Sequence, residues 1–237
     1  MTTFVLVHGA WHGGWCWKRV APLLRAAGHD VFTPTLTGLG DRTHLGSPDI
    51  GLGTHVEDVV ALIRSEELSD VVLVGHSYAG IVIAGVAEHV GDRLRHLVFF
   101  DALVPHHGVS LLDIAPPRPG SAAEMAQREG PRAKYLPPGS MDFLGVSDAE
   151  DIAWLNRHLV PHPMKCFTDT VEMPANAMGS LARTFIFCTG GRRGQFSRGA
   201  NIARSEPGWQ YREIETGHDA MVTAPRALAD LFLEAAQ

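Results

Sequence analysis

Short apolar segments recur along the chain, and each is bounded by glycine, proline or a polar turn. Most of them are apolar at every position, without alternating polar residues. That pattern is typical of strands buried on both faces of a parallel sheet. The segments that predict strands are 4–7 (FVLV), 31–36 (VFTPTL), 71–74 (VVLV), 96–100 (HLVFF), 184–188 (TFIFC) and 209–214 (WQYREI). We therefore expect a sheet of about six strands.

Helix-like segments separate these strands. Residues 18–28 end at a glycine, which often follows a helix C-terminus. Thr54 opens the T-x-x-E pattern of a capping box, and residues 78–90 are rich in Ala, Val and Ile. Thr223 is expected to cap the last helix, with a proline in its first turn. The alternation predicts an α/β fold with a mostly parallel sheet flanked by helices.

The segment 105–178 interrupts this alternation. It holds ten of the fifteen prolines, and Ser147 with Glu150 forms another capping-box pattern before a helix-like stretch. We predict a helical cap here, inserted between two strands of a core formed by residues 1–104 and 179–237. A disordered linker is the alternative, but the segment carries many large apolar side chains. They are Met141, Phe143, Trp154, Met164 and Phe167.

The composition fits one globular domain. The chain has 237 residues, of which 45% are hydrophobic, and a net charge of −6. No run of Lys and Arg is long enough to follow a phosphate backbone. No apolar stretch reaches the roughly 18 residues of a membrane span. We therefore expect neither nucleic acid nor a membrane as a partner.

The cysteines indicate a reducing compartment. Cys16, Cys166 and Cys188 are odd in number and widely spaced, unlike a disulfide framework or a zinc site. The N-terminus enters a strand at once, without the basic and apolar segments of a signal peptide. We expect reduced thiols and a cytoplasmic protein.

The sequence GHSYAG follows the apolar segment 71–74 directly and opens the helix-like segment 78–90. A serine between a strand and a helix is held in a strained turn with its hydroxyl exposed, and small neighbours let the two elements approach. Gly75 and Ala79 flank Ser77 in this way, although the second position is usually glycine. A surface turn is the alternative, but the strand–turn–helix setting favours a nucleophile.

A glycine-rich turn, HGAWHGGW, follows the first predicted strand. Such a turn can direct a backbone N–H towards a reacting carbonyl oxygen. We expect the N–H groups of Ala10 and Tyr78 to form an oxyanion hole. An ordinary glycine-rich turn is the alternative, and the nucleophile motif in the same chain favours the catalytic interpretation.

The general base is expected late in the chain, after the last strand. His218 occupies that place, between the last predicted strand and the last predicted helix. The pairs His106–His107 and His158 with His162 suggest metal ligation, but no carboxylate cluster accompanies them. We expect no metal and no cofactor.

The acid that orients the base is absent from its usual place. The loop after the segment 184–188 contains no Asp or Glu. Asp101 is the best substitute, because it ends the strand beside the nucleophile strand, at the edge where active sites of α/β sheets gather. Asp219 is weaker, since a residue adjacent to the histidine rarely points back at its ring. A Ser–His dyad, with Asp101 only capping a turn, is the alternative.

Together these residues resemble the α/β-hydrolase superfamily, in particular the branch of plant methylesterases, hydroxynitrile lyases and related bacterial esterases. The resemblance covers almost the whole chain: FVLVHGAWHGGWCW, VVLVGHSYAG, HPMKCFTDT, CTGG and TGHDAMV occur in similar form and order. It implies a triad built on Ser77 and His218, with Ala10 and Tyr78 as oxyanion donors. The family's acid position falls on Gly190–Gly191 in this chain.

The resemblance also separates the two chemistries of this branch. Its lyases use a threonine in the first glycine-rich turn, a lysine directly after the catalytic histidine and an acidic residue before the serine. This chain has Gly9, Asp219 and His76 at those positions. A lysine would stabilise leaving cyanide, whereas Asp219 has the opposite charge, so cyanohydrin cleavage is disfavoured.

These features predict a serine hydrolase that cleaves a small or medium apolar carboxylic ester through an acyl-enzyme on Ser77. A lyase or elimination enzyme of a biosynthetic pathway and a ligand-binding protein on the same fold are the alternatives. An apolar ester is the expected partner, and a homodimer is left open. The predicted pocket residues are Trp11, Tyr78, Leu103, Phe143, Trp154 and Met164.

Overall fold

Six parallel strands form the main sheet in the computed structural model, which describes residues 1–116, 120, 124, 134–170, 178–179, 181–190, 194 and 196–236. Two further strands of two residues each pair in antiparallel fashion. In chain order the strands are β1 (Thr3–Val7), β2 (Asp30–Phe32), β3 (Val71–His76), β4 (Leu94–Phe100), β5 (Tyr135–Leu136), β6 (His162–Pro163), β7 (Ala182–Cys188) and β8 (Trp209–Ile214). The predicted fold class, a mostly parallel sheet of about six strands flanked by helices, is confirmed.

The strand order of the main sheet is β2-β1-β3-β4-β7-β8. β3 is paired on its two sides with β1 and β4, and β4 is paired with β7. Because parallel strands end at the same edge, the residues that follow β1, β3 and β4 come together there. The order thus brings the glycine-rich turn, Ser77 and Asp101 to one edge of the sheet.

β2 is shorter than the predicted strand 31–36, because it ends at Phe32. Pro34 lacks the N–H that a sheet ladder needs. Leu36 N instead donates to His8 Nε2 at 3.0 Å. The last residues of the predicted strand therefore bind to the turn after β1 and do not extend the sheet.

Helices connect and cover the strands. In chain order they are α1 (Ala21–Ala26), α2 (Leu52–Ser65), α3 (Ala79–Val90), α4 (Leu111–Ile114), α5 (Met141–Leu144), α6 (Ala149–His158), α7 (Lys165–Thr168), α8 (Ser197–Ser205), α9 (Ala220–Thr223) and α10 (Pro225–Ala235). Three 3₁₀ helices span Gly14–Arg19, Gly40–Leu45 and Gly91–Arg93. Among the described residues, no helix combines the length and apolar character that crossing a bilayer requires.

The start of α2 differs from the capping prediction. Thr54 lies inside the helix, and Gly51 is its N-cap residue without a side-chain hydrogen bond. Leu52 N is satisfied from a distant part of the chain, since it donates to Asp169 Oδ2 at 3.0 Å. An orphan N–H at a helix start needs an acceptor, but that acceptor is not required to be local.

Two other helix starts also differ by one residue. Ala224, not Thr223, precedes α10 as its N-cap residue. Asp148, not Ser147, caps α6, and its carboxylate accepts from two backbone N–H groups of the first turn. Proline and acidic residues in the first turn identified these helices correctly, but in each helix the N-cap residue lies one position after the predicted one.

Two hydrophobic clusters lie on opposite faces of the sheet. On β3, Val71 and Leu73 pack with residues of α2 and α3, whereas Val72 and Val74 pack with residues of α1 and α10. Successive side chains of a strand point to opposite faces. A strand covered on both faces is therefore apolar at every position, which explains the continuous apolar segments.

The division into a core and a cap over 105–178 stays a prediction, and residues 117–119, 121–123, 125–133 and 171–177 of that cap lie outside the described residues. The described part contains α4–α7, β5 and β6. Two of its backbone hydrogen bonds reach loops at the edge of the sheet. Val160 N donates to Trp11 O at 3.0 Å, and Asp219 N donates to Leu144 O at 3.0 Å. Both contacts are made to loops that carry predicted site residues.

Candidate active site

Ser77 occupies the turn between β3 and α3. Its φ of +56° lies in the left-handed region that residues other than glycine rarely adopt. Ser77 N donates to Phe100 O at 3.2 Å, and Leu103 N donates to Ser77 O at 3.1 Å. These bonds hold the strained turn against the end of β4.

Two glycines make this turn possible. A Cβ on Gly75 would lie 2.6 Å from Ala79 O, and a Cβ on Gly80 would lie 2.1 Å from Leu103 O. Ala79 itself is fully buried as the first residue of α3. The close approach that the sequence pattern located at Gly75 and Ala79 is present, and Gly80 makes a second one to Leu103. The methyl group of Ala79 is accommodated.

His218 and Asp101 are joined by a hydrogen bond of 2.6 Å between Nδ1 and Oδ2. Asp101 follows β4 and His218 lies in the loop after β8. Cys188 N donates to the other carboxylate oxygen, Oδ1, at 3.2 Å. Because Asp101 occupies Nδ1, Nε2 is the ring nitrogen left for Ser77. No hydrogen bond joins Ser77 to His218 in the described part of the chain, and such bonds often tighten only when substrate binds.

A backbone contact leaves no room for a side chain at Gly190, one of the two positions at which the family usually carries its acid. Gly190 N donates to Thr216 O at 2.9 Å, and a Cβ on Gly190 would lie 2.9 Å from the same carbonyl group. Its neighbour Gly191 lies outside the described residues. Asp101 instead presents its carboxylate from the adjacent strand, with a left-handed φ of +39°. A strained non-glycine residue is a common feature of functional sites.

Three rings surround the imidazole of His218. Phe196 stacks on it with a centroid distance of 4.5 Å and an interplanar angle of 13°. Phe143 lies at 5.3 Å and His76 at 4.5 Å. Phe143 was a predicted pocket residue, but Phe196 was missed because nothing in its local sequence distinguishes it. These contacts restrict the orientation of the ring.

The turn after β1 approaches Ser77 closely. A Cβ on Gly9 would lie 3.0 Å from Ser77 Cβ, so a larger residue would push the turn away. Ala10 and Tyr78 are both buried. In the described part of the chain, neither the Ala10 N–H nor the Tyr78 N–H donates a hydrogen bond. Buried N–H groups are nearly always paired, so two unpaired ones beside a strained serine need a functional explanation.

Four of the predicted pocket residues lie on the side of the sheet that carries Tyr78. Trp11 packs edge-on against Phe143 at 6.2 Å, and its Nε1 donates to Leu136 O at 3.2 Å. Leu103 and Met164 are buried in the same hydrophobic cluster as Tyr78. The Tyr78 hydroxyl lies 2.9 Å from His55 Nδ1, which fixes its ring.

Trp154 lies in a different environment. Its ring meets Trp15 at a centroid distance of 5.1 Å and His158 at 5.4 Å. The guanidinium of Arg19 lies 5.3 Å from the ring centroid. The structure therefore places Trp154 between α6 and the 3₁₀ helix Gly14–Arg19, apart from the other five predicted pocket residues.

Asp219 is fully buried, and in the described part of the chain its carboxylate makes no hydrogen bond with the imidazole of His218. Its Oδ2 lies 3.0 Å from His12 Nε2, and its Oδ1 lies 4.0 Å from His76 Nε2. His76 Nε2 donates instead to the backbone oxygen of His218 at 3.1 Å. Burial lowers the pKa of His12, but the Asp219 carboxylate and hydrogen bonds to Asp219 and Ala10 outweigh it, so the net pKa is raised. The residue after the candidate base thus carries a paired negative charge.

Among the described residues, two buried groups have potential metal-ligand atoms within 4.8 Å of one another: His55 with His162 and Cys166, and His76 with His218 and Asp219. In the first group, burial raises the pKa of the Cys166 thiol to about 12, which disfavours the thiolate that metals require. In the second, His76 Nε2, His218 Nδ1 and Asp219 Oδ2 take part in the hydrogen bonds described above, whereas His76 Nδ1 and Asp219 Oδ1 have no hydrogen-bond partner in the described part of the chain.

A surface cavity of about 510 Å³ opens beside α8, and Ser77 is not among its lining residues. Its lining is Phe187, Thr189, Ser197, Ala200, Asn201, Arg204, Glu213 and Glu215. It contains several charged side chains and none of the predicted site residues. We therefore do not assign the ester site to this cavity.

Burial lowers the pKa of five histidines, because a buried ring is harder to charge. The pKa is about 3 for His8 and about 4 for His96, and it is also lowered for His55, His76 and His162. The unfolded chain takes up these protons near pH 6.5, while the folded chain does not. Their contribution to stability is therefore complete above about pH 6.5 and falls as the pH drops towards the lowered pKa values.

We expect the melting temperature to fall steeply below pH 6.5. Each fully buried ring opposes folding by up to about 1.4 kcal/mol per pH unit, so several rings lower the melting temperature by roughly 10 °C at pH 5.5. Thermal unfolding followed by circular dichroism between pH 7.5 and 4.5 measures this. His96→Gln, outside the site, should flatten the dependence. An unchanged melting temperature down to pH 5 would contradict the prediction.

A family model described as "Alpha/beta hydrolase family" matches residues 4–231. The chain is 40% identical over 238 residues to a carbendazim hydrolyzing esterase of Nocardioides sp. (strain SG-4G), covering 97% of this chain and 98% of that protein. It is 30% identical over 251 residues to Methylesterase 10 of Arabidopsis thaliana, covering 98% of this chain and 91% of that protein.

A solved structure of an extracellular alpha/beta-hydrolase from a Paenibacillus species superposes with a TM-score of 0.86 at 24% identity, covering 99% of both chains. At 24% identity, this structural similarity shows that the two proteins share a fold. Together with the relatives, it confirms the family and branch that the motifs indicated.

Proposed function

The chain belongs to the alpha/beta hydrolase family, and on this premise we propose that it cleaves a small or medium apolar carboxylic ester through an acyl-enzyme on Ser77. The observation that carries the proposal is that the N–H groups of Ala10 and Tyr78, beside a strained serine, have no hydrogen-bond partner among the described residues. A developing oxyanion is the partner that such groups fit best.

The relatives establish the reaction class. A carbendazim hydrolyzing esterase and a methylesterase are similar to this chain over almost its whole length, so the protein is a carboxylic ester hydrolase. This conclusion disfavours the ligand-binding alternative. The residues that perform the reaction and the substrate remain our proposals.

The geometry around His218 supports the following acylation steps. Ser77 Oγ attacks the ester carbonyl carbon as His218 Nε2 accepts the serine proton. The bond from Nδ1 to Asp101 keeps the proton on Nδ1 and stabilises the imidazolium that forms. The N–H groups of Ala10 and Tyr78 bind the oxyanion. Collapse of the tetrahedral intermediate breaks the C–O bond, and the alcohol leaves with the proton from His218.

Deacylation repeats these steps with water. His218 Nε2 takes a proton from a water molecule, whose oxygen attacks the acyl carbon bound to Ser77 Oγ. The same N–H groups bind the second oxyanion. The imidazolium returns its proton to Ser77 Oγ, the acid is released, and the enzyme is regenerated.

The charges near the base favour hydrolysis over cyanohydrin cleavage. Asp219 follows His218 directly, is fully buried and is paired with His12. A leaving cyanide would need a positive charge near this position, and Asp219 supplies a negative one. The apolar neighbours Trp11, Leu103 and Met164 favour an uncharged acyl or alcohol group.

A substrate panel tests the proposal. We expect turnover of 4-nitrophenyl esters with short and medium acyl chains, and much slower turnover of esters with a charged acyl group. Aromatic methyl esters and carbendazim, the compound in the name of the Nocardioides relative, extend the panel. Mandelonitrile should not be cleaved. Labelling of Ser77 by a fluorophosphonate without turnover of any ester would refute the proposal.

We also propose a reducing, cytoplasmic location for the enzyme. Cys16, Cys166 and Cys188 are all free and buried, as expected for thiols that are not needed as disulfides. A homodimer stays a prediction, which light scattering on the purified protein measures.

A further inference from the structure

His12 and Asp219 form a buried pair that the proposed reaction steps do not use. His12 Nε2 lies 3.0 Å from Asp219 Oδ2, and the side chains are 1% and 0% exposed. His12 belongs to the turn after β1 that carries Ala10, whereas Asp219 follows His218 directly. The pair therefore connects the loop of the proposed oxyanion donor with the loop of the proposed base.

The hydrogen bonds of His12 require a charged ring. Nδ1 lies 2.7 Å from Ala10 O, and Nε2 lies 3.0 Å from Asp219 Oδ2. Ala10 O and the ionised Asp219 carboxylate are both acceptors, so both ring nitrogens must carry a proton, and only the imidazolium does so. A neutral ring would have to give up one of the two bonds.

The bond to Ala10 O acts on the turn itself. That carbonyl belongs to the peptide between Ala10 and Trp11, and Trp11 N donates to His162 Nδ1 at 3.2 Å. The two histidines thus hold both ends of one peptide plane. Trp11 has a φ of +68°, a conformation that persists only when its surroundings enforce it. Ala10 N–H, which belongs to the preceding peptide unit, remains without a partner in the described part of the chain.

The other neighbours of the pair do not replace His12 as the partner of Asp219. His76 Nε2 lies 4.0 Å from Asp219 Oδ1 and donates to the backbone oxygen of His218. Trp15 stacks on the His12 ring at 5.4 Å. Cys16 is buried and keeps its proton, because burial and then Asp219 raise its pKa. The charge of Asp219 is balanced by His12.

We propose that His12 is a positioning residue for ester hydrolysis: anchored by Asp219 as an imidazolium, it holds the Ala10–Trp11 peptide so that Ala10 N–H faces the oxyanion. The proposal rests on the proposed function, since it assigns His12 a role only in that reaction. A displacement of about 1 Å at such a donor lowers kcat by roughly 100-fold.

Substitution of His12 by glutamine or by asparagine tests its two hydrogen bonds one at a time. The side-chain nitrogen of asparagine mimics Nδ1, and that of glutamine mimics Nε2. His12→Gln therefore keeps a donor for Asp219 but loses the bond to Ala10 O. His12→Asn combined with Asp219→Asn keeps a donor for Ala10 O and leaves no unpaired buried carboxylate.

We expect His12→Gln to lower kcat by about 10- to 100-fold with KM within about threefold, and to weaken binding of a trifluoromethyl ketone to a similar degree. The double variant should retain kcat within about fivefold. A purely structural role would lower the melting temperature of both variants and leave kcat of the folded enzyme unchanged. That result overturns the proposal.

A measurement on the parent enzyme covers the case in which His12→Gln does not fold. ¹⁵N NMR of labelled histidine should show both ring nitrogens of His12 protonated at pH 7.5, and a neutral His12 overturns the proposal. A parent enzyme that turns over no ester refutes the proposed function. An active parent with an equally active His12→Gln variant refutes only the role of His12.

Discussion

Replacing Ser77 by alanine is expected to abolish ester hydrolysis while the fold persists. One hydroxyl carries the covalent step, and loss of such a residue lowers kcat by about 10⁴- to 10⁶-fold. Alanine removes one oxygen atom and leaves the hydrogen bonds of the Ser77 backbone to Phe100 and Leu103 in place. Initial rates with the best 4-nitrophenyl ester of the panel measure the effect.

The matched control is Ser205→Ala at the exposed end of α8, which should retain full activity. Circular dichroism should give both variants the melting temperature of the parent within a few degrees. Activity of Ser77→Ala within tenfold of the parent would remove Ser77 from the mechanism. The nucleophile would then have to be a different group or an activated water.

Asp101→Asn is expected to lower kcat by up to about 10⁴-fold with little change in stability. The amide oxygen can keep the bond from Cys188 N, which turns the NH₂ group towards His218 Nδ1. An NH₂ group must donate there, so the ring proton moves to Nε2. The imidazole is then unable to accept the proton of Ser77.

Two further variants make this result specific. Asp230→Asn, on the exposed face of α10, changes the same charge without touching the site and should retain activity. Asp219→Asn should reduce kcat much less than Asp101→Asn, because the Asp219 carboxylate is hydrogen-bonded to His12, whereas Asp101 is hydrogen-bonded to the His218 ring. If Asp101→Asn kept more than a tenth of the parent kcat, the site would be a dyad.

Local sequence determined the strands and the nucleophile turn. The segment 71–74 is apolar throughout because its side chains enter two different hydrophobic clusters. Burial on both faces of the sheet is therefore visible in four consecutive residues. Gly75, Ser77 and Gly80 specify a strained strand-to-helix turn from positions only a few residues apart. Such features need no knowledge of what lies across the fold.

The exact ends of helices and strands depend on residues that are distant in sequence. Thr54 has the residue type and spacing of a cap, yet the first N–H of α2 bonds to Asp169, more than a hundred residues away in sequence. β2 likewise stops at Phe32 because Pro34 has no N–H for the ladder, while Leu36 N finds its acceptor in His8. The sequence identified each element, and tertiary contacts set its ends.

The site divides in the same way. By itself the sequence determined the fold class, the nucleophile motif, the glycine-rich turn and a histidine after the last strand, because each depends on residues that are neighbours in the chain. Only the tertiary structure decided that Asp101 meets His218 across two strand ends, that Asp219 meets His12 and that Phe196 covers the imidazole. These partners are brought together by the strand order, and side chains in contact across a parallel sheet leave no periodic trace in sequence.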